Sequence, residues 1–170
     1  NMAIMINTFD ALKKTNKPFL YTSSQMATLL NSSYGQMKFL GEKMTSDIGG
    51  LTVRLWNIYG VEPNSEKSHV ITDFIKMAKT ERLIKVRTDG EESRQLLFSG
   101  DCATCFLLLT QMYDKIDRNQ NYHVTSFEWI TVKEVANLIA RLTDSKVQFS
   151  TEKDKTQCNS MHPPDPYIQK

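Results

Sequence analysis

Cysteine, histidine, glycine and long apolar runs are all scarce in this chain, and each scarcity removes a class of protein. Three cysteines, Cys102, Cys105 and Cys158, are too few in 170 residues for a disulfide framework. The histidines, His69, His123 and His162, stand far apart with no ligand spacing, so no metal site is expected. No run approaches 18 apolar residues and nothing resembles a secretory leader. Net charge is small too. The 21 basic and 19 acidic residues leave +2 and include no basic cluster, which excludes a nucleic-acid or polybasic membrane footprint.

What remains is 40% apolar residues at a mean hydropathy of -0.40. That composition fits a soluble globular chain with one substantial core, expected in the cytosol. Cys102-Ala-Thr-Cys105 has the spacing of a redox or zinc pair. It falls, however, in the apolar run Ala103 to Leu109, which reads as a buried helix with buried thiols.

Helical and strand signals alternate along the chain. Met2 to Lys14 has a helical period that Pro18 ends, and Phe19 to Thr22 is a short strand stopping at Ser23, Ser24 and Gln25. A helix is expected from about Ser33 to Ile48. Gly49-Gly50 breaks the chain before a β-rich run, Leu51 to Trp56, that ends at Asn57. Alternation of this kind predicts parallel βα units, with ligands beyond the carboxyl ends of the strands.

Further on, Val61 to Ser68 reads as loop and His69 to Ala78 as helix, with strands at Leu83 to Val86 and Gln95 to Phe98. Asp101 is placed as the cap of a Cys102 to Met112 helix. Asn121 to Val124 is a strand, Thr131-x-x-Glu134 a capping box opening the helix Val132 to Leu142, and Val147 to Phe149 a last strand. The tail from Glu152 is polar and rich in proline. There is no internal repeat.

Chemistry is suggested first by Tyr34 and Lys38, four apart on a helix and so on one face. A phenol has a reference pKa of about 10, and a nearby ammonium favours its ionised form, which makes Tyr a usable acid/base. The pair alone is weak evidence, because its ordinary reading is a solvated helical face. Its surroundings carry more. A strand ending in Ser-Ser precedes it, and a strand with Arg54-Leu-Trp-Asn57-Ile-Tyr59-Gly60 follows.

In these segments the chain resembles the extended short-chain dehydrogenase/reductases, the NAD-dependent nucleotide-sugar epimerases and dehydratases. Tyr34-Gly-Gln-Met-Lys38-Phe-Leu-Gly-Glu42 is similar to the family's Y-G-x-x-K-x-x-x-E, and Arg54 to Gly60 to its R-x-x-N-x-Y-G. Arg94 to Ala103 resembles R-x-x-x-x-V-x-D-x-A, with Gly100 in a linker position. Tyr122 to Ile139 is similar to the late strand and Thr-x-x-Glu helix. The resemblance implies an α/β fold: a partial doubly wound, parallel, Rossmann-like sheet plus a small substrate-binding α+β part. Residues 1–60 would be the C-terminal half of the NAD(P)-binding domain and 61–170 mostly the substrate part, with 101–125 returning to the sheet.

The family's Gly-x-x-Gly-x-x-Gly phosphate turn has no counterpart here, and neither do the strands around it. The expectation is therefore a fragment of a longer polypeptide or, failing that, a degenerate domain, with poor NAD binding as written. Position by position, the resemblance makes Ser24, Tyr34 and Lys38 catalytic, with Ser24 also on the sugar. Tyr34, Lys38, Ser23 and Trp56 would contact NAD or NADP. Asn57 and Arg94, with Lys67 as a weaker candidate, would bind the nucleotide diphosphate of the substrate.

Where 4,6-dehydratases usually carry carboxylates after the Ser, this chain has Gln25 and Met26, neither of which moves a proton at neutral pH. That favours an epimerase or 4-ketoreductase. The short Ser24 to Tyr34 interval resembles the branch found in bacterial surface-polysaccharide pathways. A non-catalytic binding module and a reductase of a small carbonyl are the other readings. Met37, Phe39, Leu40 and Met44 could serve a homodimer face, or equally the core.

Overall fold

A computed structural model of the chain describes residues 2–30, 32–62 and 69–154. They form two compact units. The first comprises residues 2–56 and 101–125, and the second 57–62, 69–100 and 126–154. Helix and parallel strand alternate in the first, as the sequence predicts, and the fold class is α/β with a Rossmann-like parallel sheet.

In the first unit, α1 (Met2–Thr15) leads to β1 (Leu20–Ser24), a 3-10 turn (Gln25–Thr28), α2 (Ser33–Asp47) and β2 (Leu51–Leu55). Later, α4 (Ser99–Gln111) leads to β6 (Asn121–Val124). Strand order is β1-β2-β6, all parallel. Leu51 and Val53 on one face of the central strand, and Thr52 and Arg54 on the other, are all buried, as expected where a parallel strand is covered on both faces. Register sets Ser23 opposite Arg54 and Arg54 opposite His123, so the three share one face of the sheet.

Glu42 of α2 meets that face. Its carboxylate takes Arg54 as a two-point fork, Nε to Oε1 at 2.8 Å and Nη2 to Oε2 at 2.7 Å. Ser23 Oγ donates to Oε1 at 2.6 Å and Asn121 Nδ2 to Oε2 at 3.4 Å. The charge is 4% exposed, and all three strands contribute a partner. Nearby, Gly41 lets α2 come close to β1, because a Cβ there would collide with the Tyr21 hydroxyl. Burial above all, then the charges of Glu42 and Tyr34, pushes the Tyr21 phenol up to about 12.

The second unit holds β3 (Asn57–Tyr59), α3 (Val70–Glu81), β4 (Leu83–Val86), β5 (Ser93–Phe98), β7 (Trp129–Thr131), α5 (Val132–Thr143) and β8 (Lys146–Phe149). Its β3 and β5 are parallel, β7 runs antiparallel to β5, and β4 pairs with β8 in a separate two-stranded sheet. Buried Val132, Val135, Ala136, Ile139 and Ala140 follow the i, i+3, i+4, i+7, i+8 stripe of an amphipathic helix. With Phe74 and Ala78 of α3 and Ile84 and Val86 of β4 they make the core. The capping box is present: Thr131 Oγ1 accepts from Glu134 N at 3.0 Å and Glu134 Oε2 from Thr131 N at 2.7 Å.

Three expectations need correction. β1 does not stop before Ser23 but runs through Ser24, since Ser23 finds its partner inside the unit. α4 begins at Ser99, which puts Asp101 in the first helical turn, where a carboxylate suits the dipole, rather than at the cap. Nor is α4 a buried helix. Cys102 is buried, but Leu107 and Leu108 are 58% and 50% exposed, because an apolar run without period surrounds the helix and only one side meets the unit. Cys158 and the tail beyond Asp154 lie outside the described residues.

Removing one partner of a buried ion pair strands the other charge. Glu42→Ala should lower the unfolding free energy by about 3–5 kcal/mol in urea titrations, and Glu42→Leu with Arg54→Met should recover most of it. Tyr21 predicts a pH effect. Its folded pKa lies above the unfolded value of 10.0, so its contribution to stability is whole below pH 10 and drains away as pH rises towards about 12. Thermal midpoints of Tyr21→Phe should fall less steeply across that window than those of the parent.

Candidate active site

The site grows from the end of β1 and the start of α2. Ser24 is the last strand residue, and its Oγ caps the 3-10 turn by accepting from Met26 N at 3.2 Å. The hydroxyl proton is not used in that bond and is left to donate. Ser32 caps α2 in the same manner, accepting from Gly35 N at 3.0 Å. Gly35 has no room for a Cβ, which would strike the Met26 carbonyl, so the first turn of α2 sits directly on the 3-10 turn. Tyr34 stands in that first turn.

Tyr34 and Lys38 are brought together as their spacing predicts. The Lys38 ammonium lies 5.8 Å from the Tyr34 ring centroid and 5.3 Å from that of Tyr21, and donates to the Thr22 carbonyl at 2.7 Å. Burial lowers its pKa below the ordinary lysine value. All three side chains line a cavity of about 400 Å³, walled on its apolar side by Phe9, Phe19 and Met37.

The two tyrosines beside Lys38 differ in readiness. Tyr21 is half-buried and holds its proton up to about 12, whereas Tyr34 is 52% exposed and reachable by a ligand.

The other expected residues divide. Ser23 is 2% exposed with its hydroxyl given to Glu42. Trp56 is 8% exposed, and its Nε1 donates to His123 Nδ1 at 2.9 Å. The polar atoms of both are thus engaged inside the first unit. Asn57 is not at the carboxyl end of β2. Trp56 closes that run, and Asn57 opens β3 in the second unit, where Nδ2 donates to the Gln95 carbonyl at 3.3 Å.

Arg94, also in the second unit, is no solvated edge charge. Its Nη2 pairs with Asp154 at 3.1 Å and Nη1 donates to the Ser93 carbonyl at 2.9 Å. Lys67 lies outside the described residues.

Four participants had no role assigned from sequence: Tyr21, the Thr22 carbonyl, Glu42 and His123. Glu42 left a signal, being four residues past Lys38 on the same face, and Arg54 inside an apolar strand called for an acid. Tyr21 and Thr22 left none, because their contacts depend on how closely α2 approaches β1.

Comparison with solved structures finds the same fold with little sequence in common. An epimerase of the thermophilic methanogen Methanothermobacter thermautotrophicus superposes with a TM-score of 0.74 at 18% identity, over 90% of this chain and 53% of the other. The UDP-glucuronic acid 4-epimerase of Bacillus cereus, held with a UDP-deoxyfluoro sugar and NAD, gives 0.74 at 13%, over 89% and 54%. A GDP-D-glycero-L-gluco-heptose synthase of Campylobacter jejuni, in the presence of NADPH, gives 0.75 at 17%, over 95% and 68%.

The chain spans about half the length of the first two. No curated protein matches it in sequence. The model of the NAD dependent epimerase/dehydratase family matches residues 1–125, nearly three-quarters of the 170. With its Tyr-Lys helix seated on a parallel sheet, the chain belongs to the NAD dependent epimerase/dehydratase family.

Proposed function

We propose that this chain carries the proton-transfer part of an NAD(P)-dependent nucleotide-sugar epimerase or 4-ketoreductase. The single observation that carries the reading is the exposed Tyr34 beside a desolvated Lys38 ammonium that a backbone carbonyl holds in place. Lysine has three N–H donors. Thr22 takes one, which leaves donors for the vicinal hydroxyls of a nicotinamide ribose, so the residues fit that end of the cofactor. Bound there, the nicotinamide would accept and return a hydride.

Tyr34, as phenolate, would take the proton of the sugar hydroxyl, and the nicotinamide would supply the acceptor for the hydride on the same carbon, so that the carbinol becomes a ketone. Lys38 stabilises the phenolate through its charge. Ser24 donates its free hydroxyl proton to the sugar oxygen and orients it. In the return step Tyr34 would give the proton back to the carbonyl oxygen, and the ketone could be reduced from either face. Return to the opposite face is epimerisation, and the return step by itself is ketone reduction.

Gln25 supports this choice over dehydration. It is 8% exposed, its Oε1 has no hydrogen-bond partner among the described residues, and an amide transfers no proton at neutral pH. We assign cofactor contact to Tyr34 and Lys38 ahead of Ser23 and Trp56, whose polar atoms are engaged within the unit. Asn57 and Arg94 are proposed for the substrate diphosphate, which Arg94 could fork if it exchanged Asp154 for phosphate. Surface-polysaccharide sugar synthesis in the cytosol is the proposed setting.

In a full-length polypeptide that supplies the phosphate-binding turn, Tyr34→Phe should cut turnover of UDP- or GDP-sugars by about 10²–10⁴-fold, read as absorbance at the nicotinamide band, while nucleotide binding, read by equilibrium titration, is spared. Retained turnover would remove Tyr34 from the reaction. Lys38→Met should depress both turnover and NAD(P) binding. Leu40, 40% exposed on α2, lies on the face proposed for a homodimer, and Leu40→Glu should shift sedimentation from dimer to monomer.

A further inference from the structure

Lys38 presents an unusual arrangement for a cation. Burial lowers its pKa, yet among the described residues no carboxylate pairs with it. The nearest acid on its own helix, Glu42, is committed to Ser23, Arg54 and Asn121. One carbonyl bond does not replace the water an ammonium loses. What else faces the charge is aromatic: the ring of Tyr21 at 5.3 Å and that of Tyr34 at 5.8 Å. Both distances fall within the range in which the negative face of a ring attracts a cation.

The rings are not equivalent. Tyr34 is exposed and, on the reading above, changes charge during reaction, so it cannot be a constant support. Tyr21 is fixed. Its hydroxyl occupies the space left by the missing Cβ of Gly41, and its backbone is paired with Thr52 in the sheet. It also remains a neutral phenol up to about 12, so Lys38 meets a ring face and not a counter-ion at any physiological pH.

We propose that Tyr21 is a positioning residue for Lys38: its ring holds the ammonium beside the Thr22 carbonyl and keeps it charged next to Tyr34. The inference deepens the proposed reaction, since a charged Lys38 matters only if Tyr34 is the acid/base. The ring takes no proton and touches no reacting atom. It offsets part of the desolvation that the site imposes on Lys38, and it does so without a carboxylate, whose negative charge would oppose formation of the Tyr34 phenolate.

The test reads the charge on Lys38 directly, by NMR titration of the chain with labelled lysine side chains, the signal being assigned with Lys38→Arg. Tyr21→Leu removes the ring and should move the Lys38 titration down by about one pH unit, while Tyr21→Phe keeps the ring and should leave it in place. A folded Tyr21→Leu chain with an unchanged Lys38 titration overturns the proposal. If that variant does not fold, trifluorinated phenylalanine at position 21 keeps the shape and withdraws charge from the ring face. It should then lower the midpoint relative to Tyr21→Phe, and an unchanged midpoint overturns the proposal equally.

Neither measurement involves turnover. An active Tyr34→Phe enzyme would therefore sink the reaction while leaving this result to stand or fall by itself. In an active preparation, the alkaline limb of the pH–rate profile should move towards lower pH in Tyr21→Leu and stay in Tyr21→Phe. A role confined to packing would lower stability without moving that limb.

Discussion

The buried pair of Glu42 and Arg54 fixes where α2 can lie, and the candidate site depends on that placement. A helix packed on a sheet through apolar contacts alone can rotate or slide at modest cost, because dispersion has little direction. A two-point fork has direction. Glu42 accepts two bonds from Arg54 on the central strand and further ones from Ser23 on β1 and Asn121 on β6. Any rotation of α2 would break several charge-assisted bonds at once inside the protein.

Lys38 and Tyr34 lie one and two turns before Glu42, on the same side of the helix. Fixing the last of the three fixes the others. The helix thus carries one row of side chains with graded exposure, from Glu42 at 4% to Tyr34 at 52%, with Lys38 partly buried between them. The gradient is consistent with the role proposed for each. A structural charge needs exclusion of water to keep its directional bonds strong, a proton carrier needs access, and the intermediate cation needs enough burial for its field to act on its neighbour.

Much of this was legible in sequence because its causes are local. The period of α5, the Thr131 and Glu134 box, the break at Gly49-Gly50 and the four-residue step from Tyr34 to Lys38 all depend on neighbours within two turns. What was not legible depends on distant partners. Asp154 is 60 residues from the Arg94 it engages, and the Gly41 to Tyr21 approach joins residues 20 apart. The three residues of β7 are too few to show a period, and pairing with β5 makes them a strand. The apolar run in α4 misled for a related reason: composition says that a helix is apolar and only a period says which side is covered.

Arg54 and Asn57 stand three residues apart in one motif but belong to different units, and the residue that parts them is Trp56. Its buried indole, bonded to His123, ties the end of β2 to β6, after which the chain starts a new strand paired with β5. A continuous β-rich run in sequence is therefore two strands serving two sheets. The consequence is chemical as well as topological. The residues proposed for proton transfer and those proposed for the diphosphate are carried by separate units.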